Sequence, residues 1–243
     1  MSKILYPVVT NVLQTARDLY FSDIQALGLE NIPEDGPVIF AANHPNSIMD
    51  TVVLGTETPR KIHYMARSGL FKNPLVAWLF RTFGVIPLYR SQDGTDMSQN
   101  ASSFDSAFDT LEDGKTIGIF PEGKNSNERQ VLRIKTGTAR IALGAEARND
   151  FQLGVKIIPV GINFLERERF LTSVLLRYGE PIDTSQWKEQ YKEDEREAVR
   201  DLTARIEKSL QDEATHIDND LARSLSDDPV SYTHLTLPTT PYV

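Results

Sequence analysis

The chain has 243 residues, of which 40% are hydrophobic and 25% are charged, as in an ordinary folded protein of one domain or one domain with a small extension. Its 34 acidic residues outnumber its 26 Lys and Arg residues, and the net charge of −8 argues against nucleic acid as the main partner. The chain contains no cysteine, which excludes disulfide bonds, a thiol nucleophile and a cysteine-bound metal.

The first part of the chain predicts a helix followed by a series of short strands and helices. We assign residues 1–24 to an N-terminal amphipathic helix, because apolar residues recur there with helical spacing. Its uncharged stretch is shorter than the ~20 residues that span a bilayer, and the segment lacks a signal-peptide pattern. Hydrophobic runs then predict strands and periodic segments predict helices. The strands are predicted at 24–29, 37–42, 61–65 and 85–88, and the helices at 46–55 and 73–83.

The second part of the chain continues the same alternation. Helices are predicted at 104–111, 135–147 and 199–210, and strands at 117–120, 155–160 and 174–178. Strands that alternate with helices predict an α/β fold, a single layered domain with a central mostly parallel sheet flanked by helices. We assign residues 25–185 to this domain and residues 186–229 to a C-terminal helical segment, so that amphipathic helices lie at both ends.

The last residues differ abruptly in character from the acidic segment before them. Residues 230–243 resemble the translated read-through of a sequencing adapter, so we expect the authentic chain to end near Pro229 with its true C-terminus missing. We therefore expect no functional role for this segment.

The first candidate functional motif follows the strand predicted at 37–42. His44 is a candidate general base and Asp50 a candidate partner that orients the imidazole. On one helix the two side chains would not share a face, because six residues turn through about 600°. The pair therefore requires His44 on a loop and Asp50 in the following helix. From the spacing alone an unrelated loop histidine is the commoner arrangement, but two further motifs favour a functional pair.

The second motif is the run from Gly84 to Arg90, which ends a hydrophobic strand on a cation. A guanidinium at a strand end suits a phosphate group, because it binds two oxygens at once. A surface salt bridge is the alternative role of Arg90.

The third motif follows the strand predicted at 117–120. Glu122 and Gly123 form a turn, and Lys124 and Ser126 add donors for a phosphate. Lys135 lies just before the next helix and adds positive charge. Together the three motifs suggest a site that deprotonates a hydroxyl beside a bound phosphate.

A further apolar segment, 69–81, contains Trp78 and is flanked by Lys72 and Arg81. Three interpretations remain open: part of the core, a membrane-facing surface, or the wall of a slot for an acyl chain.

These motifs, in this order and spacing, resemble those of the glycerolipid acyltransferase family, which includes glycerol-3-phosphate and 1-acylglycerol-3-phosphate acyltransferases. The similarity covers about residues 25–185. It includes a hydrophobic strand at 155–160 that has a proline near its end. Most members have four residues between the His and the Asp, whereas this chain has five. The third motif usually continues with Thr-Arg, where this chain has Lys124-Asn125. Both differences resemble a subset with Asn-His-Pro-Asn-Ser before the Asp.

The resemblance implies a catalytic pair and a set of substrate-binding residues. It implies that His44 and Asp50 are catalytic, and that Arg90 and the Glu122–Gly123 turn bind a phosphorylated glycerol. We add Asn46, from the Asn-His-Pro-Asn-Ser sequence, and three neighbouring donors to the expected substrate-binding set. The donors are Lys124, which is the candidate substitute for the missing Arg, Ser126 and Lys135.

The resemblance also implies the reaction: transfer of a fatty acyl group from acyl-CoA or acyl carrier protein to glycerol 3-phosphate or dihydroxyacetone phosphate, in phospholipid biosynthesis. The alternatives are a 1-acylglycerol-3-phosphate acyltransferase, a thioesterase or lipid hydrolase, and a non-catalytic lipid-binding module. We expect no cofactor and no metal beyond the acyl thioester co-substrate, and no nucleic-acid partner. We expect the protein to lie in the cytoplasm, peripheral on the cytoplasmic face of the membrane.

Overall fold

The computed structural model describes residues 2–89, 100–123, 131–167 and 169–215. The helices in these ranges are α1 Ser2–Tyr20, α2 Ile48–Glu57, α3 Pro74–Phe83, α4 Asn100–Glu112, α5 Gly137–Arg148, α6 Lys188–Glu193 and α7 Glu195–Thr215. The strands are β1 Phe21–Leu27, β2 Val38–Ala42, β3 Ile62–Arg67, β4 Ile86–Leu88, β5 Thr116–Ile119, β6 Lys156–Phe164, β7 Thr172–Tyr178 and β8 Ile182–Asp183. Short 3₁₀ turns occupy Leu29–Asn31, Ser68–Lys72 and Thr184–Trp187.

The described strands form one sheet in the order β1-β7-β6-β2-β5-β3-β4, and β8 pairs with β6 outside this path. The central run from β6 to β4 is parallel throughout. Strands β7 and β8 pair with β6 in the antiparallel direction, and β1 runs parallel to β7. The predicted α/β fold with a mostly parallel sheet is therefore confirmed.

Strand β2 lies in the middle of the sheet and is buried on both faces, which explains its uninterrupted hydrophobic sequence. Its side chains alternate between two hydrophobic clusters. One cluster joins Ile39 and Ala41 to buried residues of α4, α5 and α7. The other joins Val38, Phe40 and Ala42 to α2 and to β1, β6 and β7. The sheet is thus covered on both faces, and it separates two layers of helices.

We call the layer formed by α4, α5 and α7 the closed face, and the layer formed by α1, α2 and α3 the open face. Helix α1 contacts both α2 and α3. The direction in which each helix connects its strands across the sheet explains the two layers. Helices α2 and α3 lead from β2 to β3 and on to β4, toward one edge of the sheet. Helices α4 and α5 lead back from β4 to β5 and then to β6. Right-handed crossovers in opposite directions place their helices on opposite faces.

Several predicted boundaries differ from the structure. Helix α1 ends at Tyr20 and β1 begins at Phe21, so residues 21–24 belong to the sheet and not to the N-terminal helix. The position of β1 beside β7 is a long-range pairing that local spacing does not reveal. Helix α7 contributes buried side chains to the main cluster, so the segment after residue 185 belongs to the same packed unit. Residues 216–243, including the suspected adapter segment, lie outside the described residues.

No helix among the described residues is both long enough and apolar enough to cross a membrane.

Candidate active site

The sheet topology creates a crevice at the carboxyl end of β2. Strand β2 connects through α2 to β3, which lies beyond β5, whereas β5 connects through α5 to β6, which lies beyond β2. Connections that leave adjacent parallel strands in opposite directions open a crevice at their carboxyl ends, where ligands bind in such sheets. The first and third sequence motifs follow β2 and β5 and therefore meet at this crevice.

His44 and Asp50 form a hydrogen-bonded pair in the crevice. The imidazole Nδ1 of His44 lies 2.8 Å from Oδ2 of Asp50. His44 is on the loop after β2, and Asp50 is in the first turn of α2, which begins at Ile48. The arrangement that the six-residue spacing requires is thus present. When Nδ1 carries the proton and donates it to Asp50, the lone pair of Nε2 is available to accept another proton.

The Asp50 carboxylate is fully buried beneath the histidine. Oδ2 also accepts a hydrogen bond of 2.8 Å from the backbone N–H of Asn46, whereas Oδ1 has no partner among the described residues. Burial raises the pKa of the Asp50 carboxyl above its usual range, and the hydrogen bonds from His44 and Asn46 oppose that rise. A buried carboxylate whose position is fixed by a backbone donor can hold the imidazole in one orientation.

The imidazole plane of His44 is fixed by an aromatic contact as well. Its ring stacks on the Phe120 ring at 4.1 Å between centroids, with an interplanar angle of 18°. Phe120 directly follows β5 and lies parallel to the Tyr64 ring, 6.3 Å away between centroids. Sequence reasoning identified Phe120 only as a strand residue, because contact between the ends of β2 and β5 depends on the sheet order.

Asn43 anchors the loop that carries His44. Its side-chain Oδ1 accepts from the backbone N–H of Ile162 at 2.6 Å, and its Nδ2 donates to the Ile162 carbonyl at 3.0 Å. These two bonds extend the hydrogen-bonded pairing of β2 and β6 by one residue, and the Asn43 side-chain amide takes the place of a backbone peptide group. The next turn is strained, since Ser47 has a φ of 55°, which non-glycine residues rarely adopt. Asn43 was not predicted as a site residue.

Glu122 lies at the crevice but is directed inward. Its side chain is only 4% exposed. Burial raises the pKa of the Glu122 carboxyl to about 7, although the nearby backbone N–H groups of His44 and Leu132 and the His44 side chain lower it. Its Oε2 atom is buried without a partner among the described residues. Glu122 thus lies between the loop after β2 and the segment before α5.

Gly123 and Lys135 lie together beside Glu122. Gly123 has a φ of 73°, so the turn after Glu122 needs a residue without a Cβ atom. A Cβ atom there would lie 2.9 Å from Nζ of Lys135, which shows that the ammonium group covers this turn. The backbone N–H of Lys135 donates to the Pro121 carbonyl at 2.9 Å. The predicted grouping of Glu122, Gly123 and Lys135 is therefore present.

Asn46 reaches the other side of the crevice. Its side-chain Nδ2 donates a 3.0 Å hydrogen bond to the carbonyl of Arg167, in the loop between β6 and β7. The positive charge of Arg167 opposes the rise in the pKa of Asp50 that burial causes. Arg167 is half-buried, and it was not among the residues predicted to bind substrate.

Three predicted substrate-binding residues, Arg90, Lys124 and Ser126, lie outside the described residues. In the ranges that are described, no group of His, Asp and Glu side chains is suited to hold a metal ion.

The apolar segment after β3 is mostly exposed rather than part of the core. Leu75 is 72% exposed and Trp78 is 49% exposed, whereas Ala77 is buried. Beside this segment lies an open cavity of about 600 Å³. Its walls combine cationic and apolar side chains: Arg67, Lys72, Arg81, Leu70, Phe71, Val85, Pro87 and Tyr89. The core interpretation of this segment is therefore wrong, and the membrane-surface and acyl-slot interpretations remain.

The geometry of the site suits proton abstraction from a hydroxyl group. It holds an imidazole with one nitrogen engaged by a buried carboxylate and the ring plane fixed on Phe120. Such an imidazole acts as a general base toward a nucleophile and then as a general acid toward a leaving group. The ammonium group of Lys135 adds a positive charge beside the Gly123 turn.

Comparison with known proteins gives one family and several relatives. The family model described as Acyltransferase matches residues 23–163. Glycerol-3-phosphate O-acyltransferase 2 of Saccharomyces cerevisiae is 39% identical over 112 residues, which are 46% of this chain and 15% of the yeast protein. Glycerol-3-phosphate O-acyltransferase 1 of the same yeast is 23% identical over 86% of this chain and 39% of its own length. The chain thus spans well under half the length of these two relatives.

A bacterial relative and a solved structure extend the comparison. The 1-acyl-sn-glycerol-3-phosphate acyltransferase of Bacillus subtilis is 28% identical over 57% of this chain and 65% of its own length. The crystal structure of PlsC, the 1-acyl-sn-glycerophosphate acyltransferase of Thermotoga maritima, superposes with a TM-score of 0.66. The match covers 90% of this chain and 81% of PlsC at 24% identity, so it establishes a shared fold.

Proposed function

Because this chain belongs to the Acyltransferase family, whose model spans more than half of its residues, we propose that it transfers a fatty acyl group from an acyl thioester to a hydroxyl of a phosphorylated glycerol. The observation that carries this proposal is the 2.8 Å pair of His44 and the buried Asp50 at the carboxyl end of β2. The favoured acceptors are glycerol 3-phosphate and dihydroxyacetone phosphate, because a relative that is 39% identical over 112 residues is named as a glycerol-3-phosphate acyltransferase.

In the proposed mechanism, Nε2 of His44 takes the proton of the acceptor hydroxyl as its oxygen attacks the thioester carbonyl. Asp50 accepts the hydrogen bond from Nδ1–H and stabilises the imidazolium that forms. The tetrahedral intermediate then collapses with cleavage of the C–S bond. The imidazolium returns its proton to the departing thiolate, so the products are the ester and the free thiol. No acyl group becomes attached to the protein.

Two other features support the roles of these residues. Phe120 and the backbone bond from Asn46 restrict the imidazole and carboxylate to one geometry, which lowers the entropic cost of reaching the transition state. Lys135, beside the Gly123 turn, supplies a positive charge for the acceptor phosphate. Arg90, Lys124 and Ser126 remain predicted contributors to this binding.

Transfer to 1-acylglycerol 3-phosphate is the second candidate reaction. The Bacillus subtilis relative carries that name, and the alignment spans 65% of its length. The same base and the same phosphate cations would serve this acceptor, which differs in carrying one acyl chain already.

The open face supports a peripheral position on the cytoplasmic side of the membrane, where acyl-CoA and acyl carrier protein are present. Helix α1 exposes Val8 and Val12, and the neighbouring α3 exposes Leu75 and Trp78. Exposed apolar residues in adjacent helices, with Trp among them, favour the interface between headgroups and acyl chains.

The test of the reaction is acyl transfer from labelled acyl-CoA to each of three acceptors: glycerol 3-phosphate, dihydroxyacetone phosphate and 1-acylglycerol 3-phosphate. We expect transfer to at least one acceptor, and a loss of about 10²–10⁴-fold in kcat for His44→Ala and for Asp50→Asn. Release of the label to water at the same rate without any acceptor would instead identify a thioesterase.

The matched control is His63→Asn. His63 lies on β3 and its Nδ1 is 3.1 Å from the carbonyl oxygen of Gly84, outside the crevice. An amide N–H at position 63 keeps a donor for that carbonyl, so this variant should retain activity. Wild-type turnover in a folded His44→Ala protein would refute the role of His44.

A further inference from the structure

The loop between β6 and β7 brings a cation to the side of the crevice opposite Lys135. Strand β2 carries His44 and lies between β6 and β5 in the sheet. Arg167 follows β6, and Lys135 follows the turn at the end of β5. The two cationic residues therefore lie in the segments that follow the two strands on either side of β2.

Hydrogen bonds at both ends hold this loop in place. The backbone N–H of Leu165 donates to the Ser173 carbonyl at 3.0 Å, which continues the pairing of β6 and β7. At the far end, the N–H of Leu171 donates to the Tyr20 carbonyl at 2.8 Å, which ties the loop to the end of α1. A loop fixed on two elements presents its side chains from a defined position, as a binding residue requires.

Arg167 is also linked directly to the catalytic loop. The side chain of Asn46 donates to the Arg167 carbonyl at 3.0 Å, while the backbone N–H of Asn46 donates to Asp50 at 2.8 Å. Burial raises the pKa of the Asp50 carboxyl, and the positive charge of Arg167 is among the groups that oppose this rise. Asn46 thus acts as a bridge between the proposed catalytic pair and the loop that carries the cation, rather than only as a substrate contact.

The acceptor phosphate provides a physical reason for a cation on this side. A phosphate monoester carries close to two negative charges at neutral pH and has three strong acceptor oxygens. Lys135 provides a single point charge, whereas a guanidinium binds two oxygens in a fixed geometry. Contacts from two sides would also set the distance between the phosphate and the hydroxyl that His44 deprotonates.

We infer that Arg167 is a specificity-determining residue that binds the phosphate group of the acceptor. This inference rests on the proposed function, in which the acceptor is a phosphorylated glycerol. It assigns part of the phosphate site to the loop between β6 and β7, a segment outside the sequence motifs that suggested a phosphate.

The direct test is a calorimetric titration of the full chain with glycerol 3-phosphate and with dihydroxyacetone phosphate. We expect Arg167→Ala to weaken binding of the acceptor by about 10-fold to 100-fold, the range for loss of a hydrogen bond to a charged group. Arg167→Lys should recover part of that loss, because lysine keeps the positive charge but cannot bind two phosphate oxygens in the fixed geometry of a guanidinium. Unchanged affinity in Arg167→Ala, or no binding of either probe to the wild-type chain, would overturn the inference.

Arg169→Ala is the matched control. Arg169 lies on the same loop, is exposed, and pairs with Glu166 at 2.9 Å. The Arg169→Ala variant loses the same charge from the same loop as Arg167→Ala. A general electrostatic effect would therefore weaken binding equally in both variants. Equal weakening would therefore also overturn the inference, whereas affinity within about twofold of the wild type in Arg169→Ala supports it.

Turnover separates phosphate binding from an effect on Asp50. A binding residue should raise KM for the phosphorylated acceptor in Arg167→Ala, with KM for the acyl donor unchanged. A fall in kcat alone with a shifted pH profile would show that Arg167 acts through Asp50, which would overturn the inference. If the wild type binds glycerol 3-phosphate but transfers no acyl group, the proposed reaction fails while the phosphate assignment stands.

Discussion

The closed and open faces of the sheet differ in what their helices do with apolar side chains. On the closed face, α4, α5 and α7 bury theirs against β2, β5 and β6, including Leu111, Leu143 and Leu202 at 0% exposure. On the open face, α1 and α3 leave several large apolar side chains in solvent. The same sheet thus supports one layer that contributes mainly stability and one that remains available for ligands.

This difference explains why the candidate site lies where it does. The His44–Asp50 pair uses α2, the open-face helix whose Val53 and Leu54 are buried, to hold the carboxylate still. Beyond α2, the open face continues into α3 and the cationic cavity beside it. A rigid pair next to an apolar and cationic surface suits a reaction between an amphiphilic donor and an anionic acceptor.

The largest expected effect on stability is that of replacing a buried leucine of the closed face by alanine, compared with the same replacement on the open face. Leu202→Ala on α7 removes a fully buried side chain and should lower the free energy of unfolding by about 2–5 kcal/mol. Leu75→Ala on α3 removes a side chain that is 72% exposed, so its cost should stay within about 0.5 kcal/mol. Urea denaturation of both variants checks this, and equal losses would break the distinction between the faces.

A second prediction concerns Glu122, the buried carboxyl at the boundary of the two layers. Its pKa is raised from 4.5 to about 7 in the folded protein, so the folded state favours the protonated form. The stability that this group contributes is complete below pH 4.5 and is lost as the pH rises through about 7. Glu122→Gln should therefore gain stability relative to the wild type across that range, by on the order of 2–3 kcal/mol at neutral pH.

Thermal unfolding at a series of pH values measures this change. Glu189→Gln is the control, because Glu189 is 78% exposed and loses the same charge without a buried environment. A constant stability difference between Glu122→Gln and the wild type from pH 4.5 to pH 8 would contradict the prediction.

The smallest expected effect concerns the open face as a membrane surface. Replacing Leu75 and Trp78 together by Ser should weaken binding to vesicles of phosphatidylglycerol and phosphatidylethanolamine by at least about tenfold, since each exposed apolar side chain that enters the interface contributes on the order of 1 kcal/mol. Leu29→Ser, an exposed leucine outside α1 and α3, should leave binding unchanged. Sedimentation with vesicles measures this, and identical partitioning of all proteins would exclude α3 from the contact.

Much of the fold could be predicted from local patterns. The hydrophobic runs correctly predicted β2, β5 and β6, because strands that are buried on both faces consist of nearly continuous hydrophobic residues. The boundary between α1 and β1 was less accurate, since Phe21 becomes a strand residue by pairing with β7, about 150 positions later. Short β8 was not predicted, because two residues carry too little pattern.

The site was predictable in its chemistry but not in all its contacts. The spacing of His44 and Asp50 did not by itself favour a pair; the two other motifs did, and the 2.8 Å contact agrees with that prediction. Glu122 was expected to bind substrate, and that assignment stays a prediction, yet its side chain is almost fully buried in the structure. A motif identifies a carboxylate near a site without telling which way the side chain turns.

The alternation of strands and helices, and the residue types that can move a proton, could be read from the sequence, because both depend on local spacing and side-chain chemistry. Which of those residues meet depends on the packing of the whole fold. The order β6-β2-β5 brings the segments that carry Arg167 and Lys135 to the two sides of the His44 loop, and it stacks Phe120 on the His44 ring. These contacts join positions up to about 120 residues apart, and such pairings are set by how the whole sheet packs.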